Sequence, residues 1–154
     1  MYKVVKVINN NIVSSIDASG QEIILRGLGL GFSKKTGDML DDHKVEKIYR
    51  LSDKESNNKL QSLMADIPDE HISVCTEIIE YARAHLSQTL NENIYIALID
   101  HISFALDRQK SNMDFKNQLL WEIKNFYPEE FAIGSHAVDI IYDRLGVRLS
   151  EDEA

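Results

Sequence analysis

Cysteine is nearly absent: Cys75 stands alone in 154 residues. A disulfide framework is therefore excluded, and the lone thiol fits a reducing cytosol. Two prolines and one tryptophan are present. No apolar run is long enough to span a bilayer, and the N-terminus lacks the apolar core of a signal peptide, so no membrane insertion is expected. Glycine is scarce too, seven in all, yet three of them fall at Gly27, Gly29 and Gly31. No pair of the five histidines has the His-x-x-x-His spacing of a metal site, and no nucleophile–base constellation is legible. Neither a catalytic residue nor a metal nor a cofactor is implied.

What is present is a foldable chain, 44% hydrophobic and 27% charged. Its net charge of −8 is unevenly spread: residues 1–52 carry +2 and residues 53–154 carry −10. Such asymmetry suggests two units with different partners.

The first unit, residues 1–52, reads as β. Strands are expected over Lys3–Ile8, Ile12–Ile16, Glu22–Arg26 and Lys44–Leu51, with Asn9-Asn10-Asn11 as a hairpin turn and Asp17–Gly20 as a second turn. A sheet of about fifty residues buries little surface, so it is expected to dimerise through one face. Residues 53–58 are polar and read as a linker and helix start. Residues 59–154 read as an all-α bundle. Lys59 to Ala65 is expected to continue the first helix, and further helices are expected to begin at Pro68, near Glu92, near Phe115 and after Gly134-Ser135. Ile72, Cys75, Ile79 and Ala82 recur at helical spacing. So do Ile94, Leu98, Ile102, Ala105 and Leu106. Ser150-x-x-Glu153 is a capping box that opens a further helix, which leads to the expectation of a fragment truncated within its second domain. The fold class is thus α+β by segments: a small antiparallel four-stranded sheet followed by a helical bundle.

The chemistry concentrates in Gly27-Leu28-Gly29-Leu30-Gly31-Phe32-Ser33-Lys34-Lys35. Glycines allow close backbone approach, an aromatic can stack on a base, and lysines can meet phosphate. A dinucleotide loop is rejected, because that motif needs a helix directly after the glycines. A flexible connection between strands remains the plain alternative. Asn9 and Asn11 read equally as turn residues or as amides reading base edges. His101, beside Asp100 in an apolar helix, reads from spacing as a core or groove histidine.

Several of these stretches resemble one family. Lys6-Val7-Ile8-Asn9-Asn10-Asn11, the glycine loop and Glu46-Lys47-Ile48-Tyr49 are similar to the bgl/sac-type transcriptional antiterminators. Ile96 to Ala105, Asn117 to Lys124 and Glu129 to Gly134 resemble the first phosphotransferase regulation domain of that family. The resemblance implies an RNA-binding β domain acting as a homodimer. It would hold a nascent RNA hairpin with internal loops and so prevent a terminator from forming in a sugar operon, of the β-glucoside type. The implied RNA contacts are Lys6, Asn9, Asn11, Gly27 and Phe32, with Lys34 and Lys35 nearby. The implied phosphorylation site is His101, served by the phosphocarrier and sugar permease proteins of the phosphotransferase system. One departure is Leu28, where the family commonly has a basic residue; Arg26 is close but should point to the other face. A dimerisation or signalling module without RNA binding is the rival reading. A duplex-DNA regulator is disfavoured, since no basic recognition helix is visible.

Overall fold

The computed structural model describes residues 1–113 and 115–154. Two compact units appear. One comprises Met1–Asp69 with Glu92–Ile96, and the other comprises Glu70–Asn91 with Ala97–Ala154.

In the first unit, β2 (Lys6–Asn9), β3 (Ile12–Ile16), β4 (Glu22–Arg26) and β6 (Lys47–Tyr49) form an antiparallel sheet in the order β2-β3-β4-β6. A two-stranded ribbon joins β1 (Tyr2–Lys3) to β5 (Met39–Leu40). The first expected strand is thus split. Val4 turns away to exchange backbone bonds with Asp38 and Gly37, while Val5 N–H donates to Ser14 O at 2.9 Å. The last expected strand is shorter than its apolar pattern. Asp41 accepts from His43 N–H at 2.9 Å and caps a 3-10 turn over Asp42–Lys44 instead.

The alternation of β3 and β4 sends Val13, Ile23 and Leu25 to one face, where they pack with Val4, Leu30 and Leu40. Ile12, Ser14, Ile24 and Tyr49 take the other face, by the cross-strand register. That second face is covered from the same chain. Helix α1 (Lys54–Asp66) packs on β4 and β2, burying Leu60 and Met64. Tyr95 meets Tyr49 edge to face with ring centroids 5.0 Å apart. Four of the five β3 residues are buried within the single chain.

Residues 53–58 are not a free connector. The Asp53 carboxylate accepts from Ser56 N–H at 2.7 Å and opens α1. Asn57 and Gln61 then fasten the helix to Glu22. At the other end of α1, Arg26 donates to both Asp69 oxygens, Nε to Oδ1 at 3.1 Å and Nη2 to Oδ2 at 2.8 Å.

The second unit contains most of α2 (Asp69–His85) and α3 (Ile94–Lys110), with all of α4 (Leu120–Phe126) and α5 (Pro128–Leu145). The helical spacing of α2 is realised: Ile72, Cys75, Ile79 and Ala82 are all buried. In α3, Ile102, Ala105 and Leu106 are buried, while Ile94 and Leu98 are half-buried. α4 starts later than expected. The Asn117 side chain accepts from Leu119 N–H at 2.9 Å, and Asn117 N–H goes to Asp152 Oδ1 at 3.0 Å, so side chains take the backbone groups a helix would have used. α5 begins at Pro128, not after Gly134. Gly134 lies inside the helix, where a Cβ would stand 2.5 Å from the Ala154 carbonyl carbon. The helix ends at Gly146, with φ 72°. The capping box at Ser150 does not form. Residues Glu151–Glu153 make a single 3-10 turn, and the Glu153 side chain is committed to Arg108. No helix of the described residues is long and apolar enough to cross a membrane.

Burial pushes the Cys75 thiol up to about 12. The folded protein is expected to resist thiol alkylation at pH 8 and to react with one equivalent once unfolded in denaturant, as read by intact mass. Hydrogen bonds from Ser56 hold the Asp53 carboxyl below its ordinary value of 3.8. A lowered folded value adds stability above the unfolded value and loses it as pH falls through the folded one. Helicity followed by circular dichroism during acid titration should therefore fall less steeply below pH ~4 in Asp53→Asn, which keeps a capping side chain that does not titrate.

Candidate nucleic-acid interface

The hairpin tip Asn9-Asn10-Asn11 and the glycine loop are bound into one object. Gly27 N–H donates to Asn11 O at 2.9 Å, and Gly31 N–H donates to Asn10 O at 2.7 Å. Gly29 N–H donates to the Asn11 side-chain Oδ1 at 2.8 Å. Asn11 N–H donates to Asn9 Oδ1 at 2.8 Å, which closes the tip as an Asx turn.

The three glycines serve two different needs. A Cβ on Gly27 would stand 2.0 Å from Lys44 O, and one on Gly31 would stand 2.3 Å from Asn9 O. Both positions need close backbone approach. Gly29 has open space around it but a left-handed φ of +67°. Leu30 is buried in the core and anchors the loop. Consecutive turns follow, with Leu30 N–H to Gly27 O, Phe32 N–H to Gly29 O and Lys34 N–H to Gly31 O, at 3.0, 3.1 and 3.2 Å. A loop with this many backbone hydrogen bonds is a shaped surface, not the flexible connection that composition also allowed.

On that surface Leu28 is 83% and Phe32 64% exposed. Lys34 and Lys35 are exposed on the same loop. Lys6 is exposed as well, on β2. A register shift between Val7 and Asn9 inserts one extra residue into β2. It places Lys6, opposite Ser14, and Asn9, opposite Ile12, on the same face. Asn9 Nδ2 accordingly reaches Met64 O of α1, at 3.5 Å. The loop lies over the other face, where the Gly31 Cβ position would be 3.3 Å from both Val7 and Val13 side chains. The structure thus gathers Phe32, Lys34 and Lys35 on one loop, joins Asn11 to it directly, and sets Lys6 and Asn9 on the opposite side of the hairpin.

Two of the seven expected contact residues have structural duties. Gly27 is buried, and the Asn9 side-chain Oδ1 is spent on the turn. Asn11 keeps its Nδ2 end after its Oδ1 is used. Arg26 does not stand in for a basic residue at 28, because its guanidinium is held by Asp69. Burial works most strongly against that charge, but the hydrogen bonds and charges of Asp69 and Tyr49 together outweigh it, leaving the guanidinium above its ordinary value. Sequence reasoning missed Leu28 as a positive feature: with Phe32 it gives the loop two exposed apolar side chains. In the second unit His101 lies on α3 at a half-exposed position, so it is not a core histidine. Among the described residues no group of His, Cys, Asp or Glu could hold a metal ion.

Gly31→Ala is expected to destabilise the protein by about 1–3 kcal/mol, because Asn9 O is backbone and cannot move aside. Leu28→Ala should leave the unfolding midpoint in urea unchanged.

Comparison with known proteins agrees with this architecture. Residues 2–58 match the CAT RNA binding domain, and residues 76–154 match the PRD domain. Transcription antiterminator LicT of Bacillus subtilis (strain 168) is 45% identical over 152 residues, which are 99% of this chain and 55% of that protein. The beta-glucoside operon antiterminator of Dickeya chrysanthemi is 42% identical over 152 residues, 99% of this chain and 54% of that protein. The crystal structure of GlcT CAT-PRDI superposes with a TM-score of 0.83 at 33% identity, covering 99% of this chain and 90% of that one. The chain spans about half the length of the curated relatives it matches. A sheet unit whose loop is built to face outward, followed by a helical unit in the order those proteins share, places this chain in the family of transcription antiterminators that carry a CAT RNA binding domain ahead of a PRD domain.

Proposed function

We propose that this chain binds a nascent RNA hairpin with internal loops through its glycine loop and hairpin tip, and that this binding prevents an overlapping terminator from forming. The observation that carries the reading is Phe32, a large aromatic held out in solvent at 64% exposure on a loop fixed by backbone hydrogen bonds. Such an aromatic can stack on a base that is unpaired and splayed, and cannot reach one inside an intact duplex. Lys34, Lys35 and Lys6 supply charge for phosphates, and Asn11 Nδ2 supplies a donor for a base edge. Gly27 and Asn9 act by shaping the surface. Two copies would act together as a homodimer, each giving one loop to one RNA. The controlled operon would serve sugar use. The name of the Dickeya chrysanthemi relative favours β-glucosides.

The PRD match supports control by the phosphotransferase system, with His101 as the phosphoryl acceptor. Its half-exposed position on α3 lets a phosphocarrier protein or a sugar permease domain reach it. The protein is a regulator and a phosphorylation substrate, not an enzyme.

Fluorescence anisotropy with a hairpin carrying two asymmetric internal loops, beside a fully paired hairpin of equal length, tests the RNA reading. The looped RNA should bind tightly and with strong salt dependence. Phe32→Ala should weaken it by about 1–3 kcal/mol, roughly 5- to 150-fold, without changing the unfolding midpoint. Equal affinity for both RNAs, or full affinity in Phe32→Ala, would rule the site out.

A further inference from the structure

In the second unit, His101 and Arg108 lie seven residues apart along α3, on one side of the helix, with Phe104 between them. The Arg108 guanidinium is 5.1 Å from the Phe104 ring centroid and 4.8 Å from that of Phe115. Its Nη2 meets Glu153 Oε1 at 2.7 Å, and both side chains are largely buried, at 15% and 7% exposure. Among the described residues, the second oxygen of Glu153 is buried with no hydrogen-bond partner, and so is Arg108 Nε. That orphan oxygen, Oε2, lies 3.6 Å from His101 Nε2, too far for a hydrogen bond and near enough for charge to act. The His101 side chain is itself 50% exposed.

Glu153 belongs to a seated turn. Glu151 pairs with Lys124, and Asp152 Oδ1 accepts from Asn117 N–H at 3.0 Å. The next residue, Ala154, packs so closely on α5 that only glycine fits at 134. The Glu153 carboxylate thus faces His101 with one oxygen and the buried Arg108 guanidinium with the other.

We propose that Arg108 is the positioning residue for a phosphoryl group on His101, that Glu153 holds that place in the unmodified protein, and that phosphorylation releases the Glu151–Glu153 turn. This rests on His101 being the phosphoryl acceptor. The transfer itself needs no further reactant. An unprotonated ring nitrogen of His101 forms a bond to phosphorus as the nitrogen–phosphorus bond of a phosphohistidine donor breaks. The electron pair of the broken bond stays on the donor nitrogen. The product brings about −1.5 to −2 charges to His101. One guanidinium cannot neutralise both that group and Glu153. The phosphoryl oxygens offer Arg108 a charge-assisted pairing in its own fork geometry. Glu153, left buried without a cation, must move to water.

Hydrogen exchange of the segment 149–154 and 31P NMR on the full chain test this, with phosphoramidate as the chemical donor and intact mass to count phosphoryl groups. Phosphorylation should speed exchange of the segment at least tenfold, and His101→Ala should abolish both uptake at this site and the change in exchange. His101→Glu adds charge without any donor and should release the segment by itself. Arg108→Lys keeps the charge but loses the fork, so it should shift the 31P resonance of phosphorylated His101. Glu153→Gln should raise the rate of uptake several-fold. Full protection of the segment in both phosphorylated protein and His101→Glu would overturn the proposal, as would a 31P resonance indifferent to Arg108→Lys. Failure of His101 to accept phosphate would instead overturn the acceptor reading beneath it, whereas release in His101→Glu would still support the Glu153 displacement.

Discussion

The three hydrogen bonds that join the asparagine tip to the glycine loop determine what the first unit can present. Gly27 and Gly31 give their N–H groups to the backbone oxygens of Asn11 and Asn10, and Gly29 gives its own to the Asn11 side chain. Gly27 and Gly31 also lie against the Lys44 and Asn9 backbone oxygens more closely than a Cβ permits, and Gly29 has a left-handed backbone. Once made, the three bonds leave Leu30 no direction but the core and Phe32 none but solvent. An exposed aromatic on a mobile loop would lose much of its binding energy to ordering. On this loop the ordering is completed during folding.

The remaining parts of that unit keep the loop's charge and backing intact. α1 closes the sheet face that the loop does not cover, and its polar residues Asn57 and Gln61 reach back to Glu22 instead of facing water. Arg26, the cation next to the glycines in sequence, is withdrawn into a bidentate pair with Asp69. The lysines at 6, 34 and 35 are exposed point charges, a form that suits phosphates of variable position better than a fixed fork would.

Much of this was legible in the sequence because it rests on local signals. The alternation of Ile12–Ile16 and Glu22–Arg26 gave β3 and β4 residue for residue, and the three-four spacing of Ile72, Cys75, Ile79 and Ala82 gave the buried stripe of α2. What escaped depends on partners far away in the chain. Gly134 reads as a boundary until Ala154 is seen against it. Asn117 reads as helix until Asp152 takes its N–H. Glu153 reads as half of a capping box, but Arg108, forty-five residues earlier, attracts it more strongly. Asn9 and Asn11 read as either turn or contact, and the structure gives Asn9 mainly to the turn while leaving Asn11 a free amide end. The bulge in β2 carries no sequence mark, yet it decides which side of the hairpin Lys6 and Asn9 share.

Leu28 and Phe32, held out on the same tip, give the loop an apolar area that water must wet whenever nothing covers it. Covering that area would remove hydration whose heat capacity exceeds that of the dry contact, so association through this tip carries a negative heat-capacity change. Its enthalpy becomes more favourable with each degree of warming while its entropy becomes less so. A basic side chain at position 28 would shift the balance toward counterion release, which is governed by salt. With leucine there, temperature takes a share of the control that ionic strength would otherwise hold.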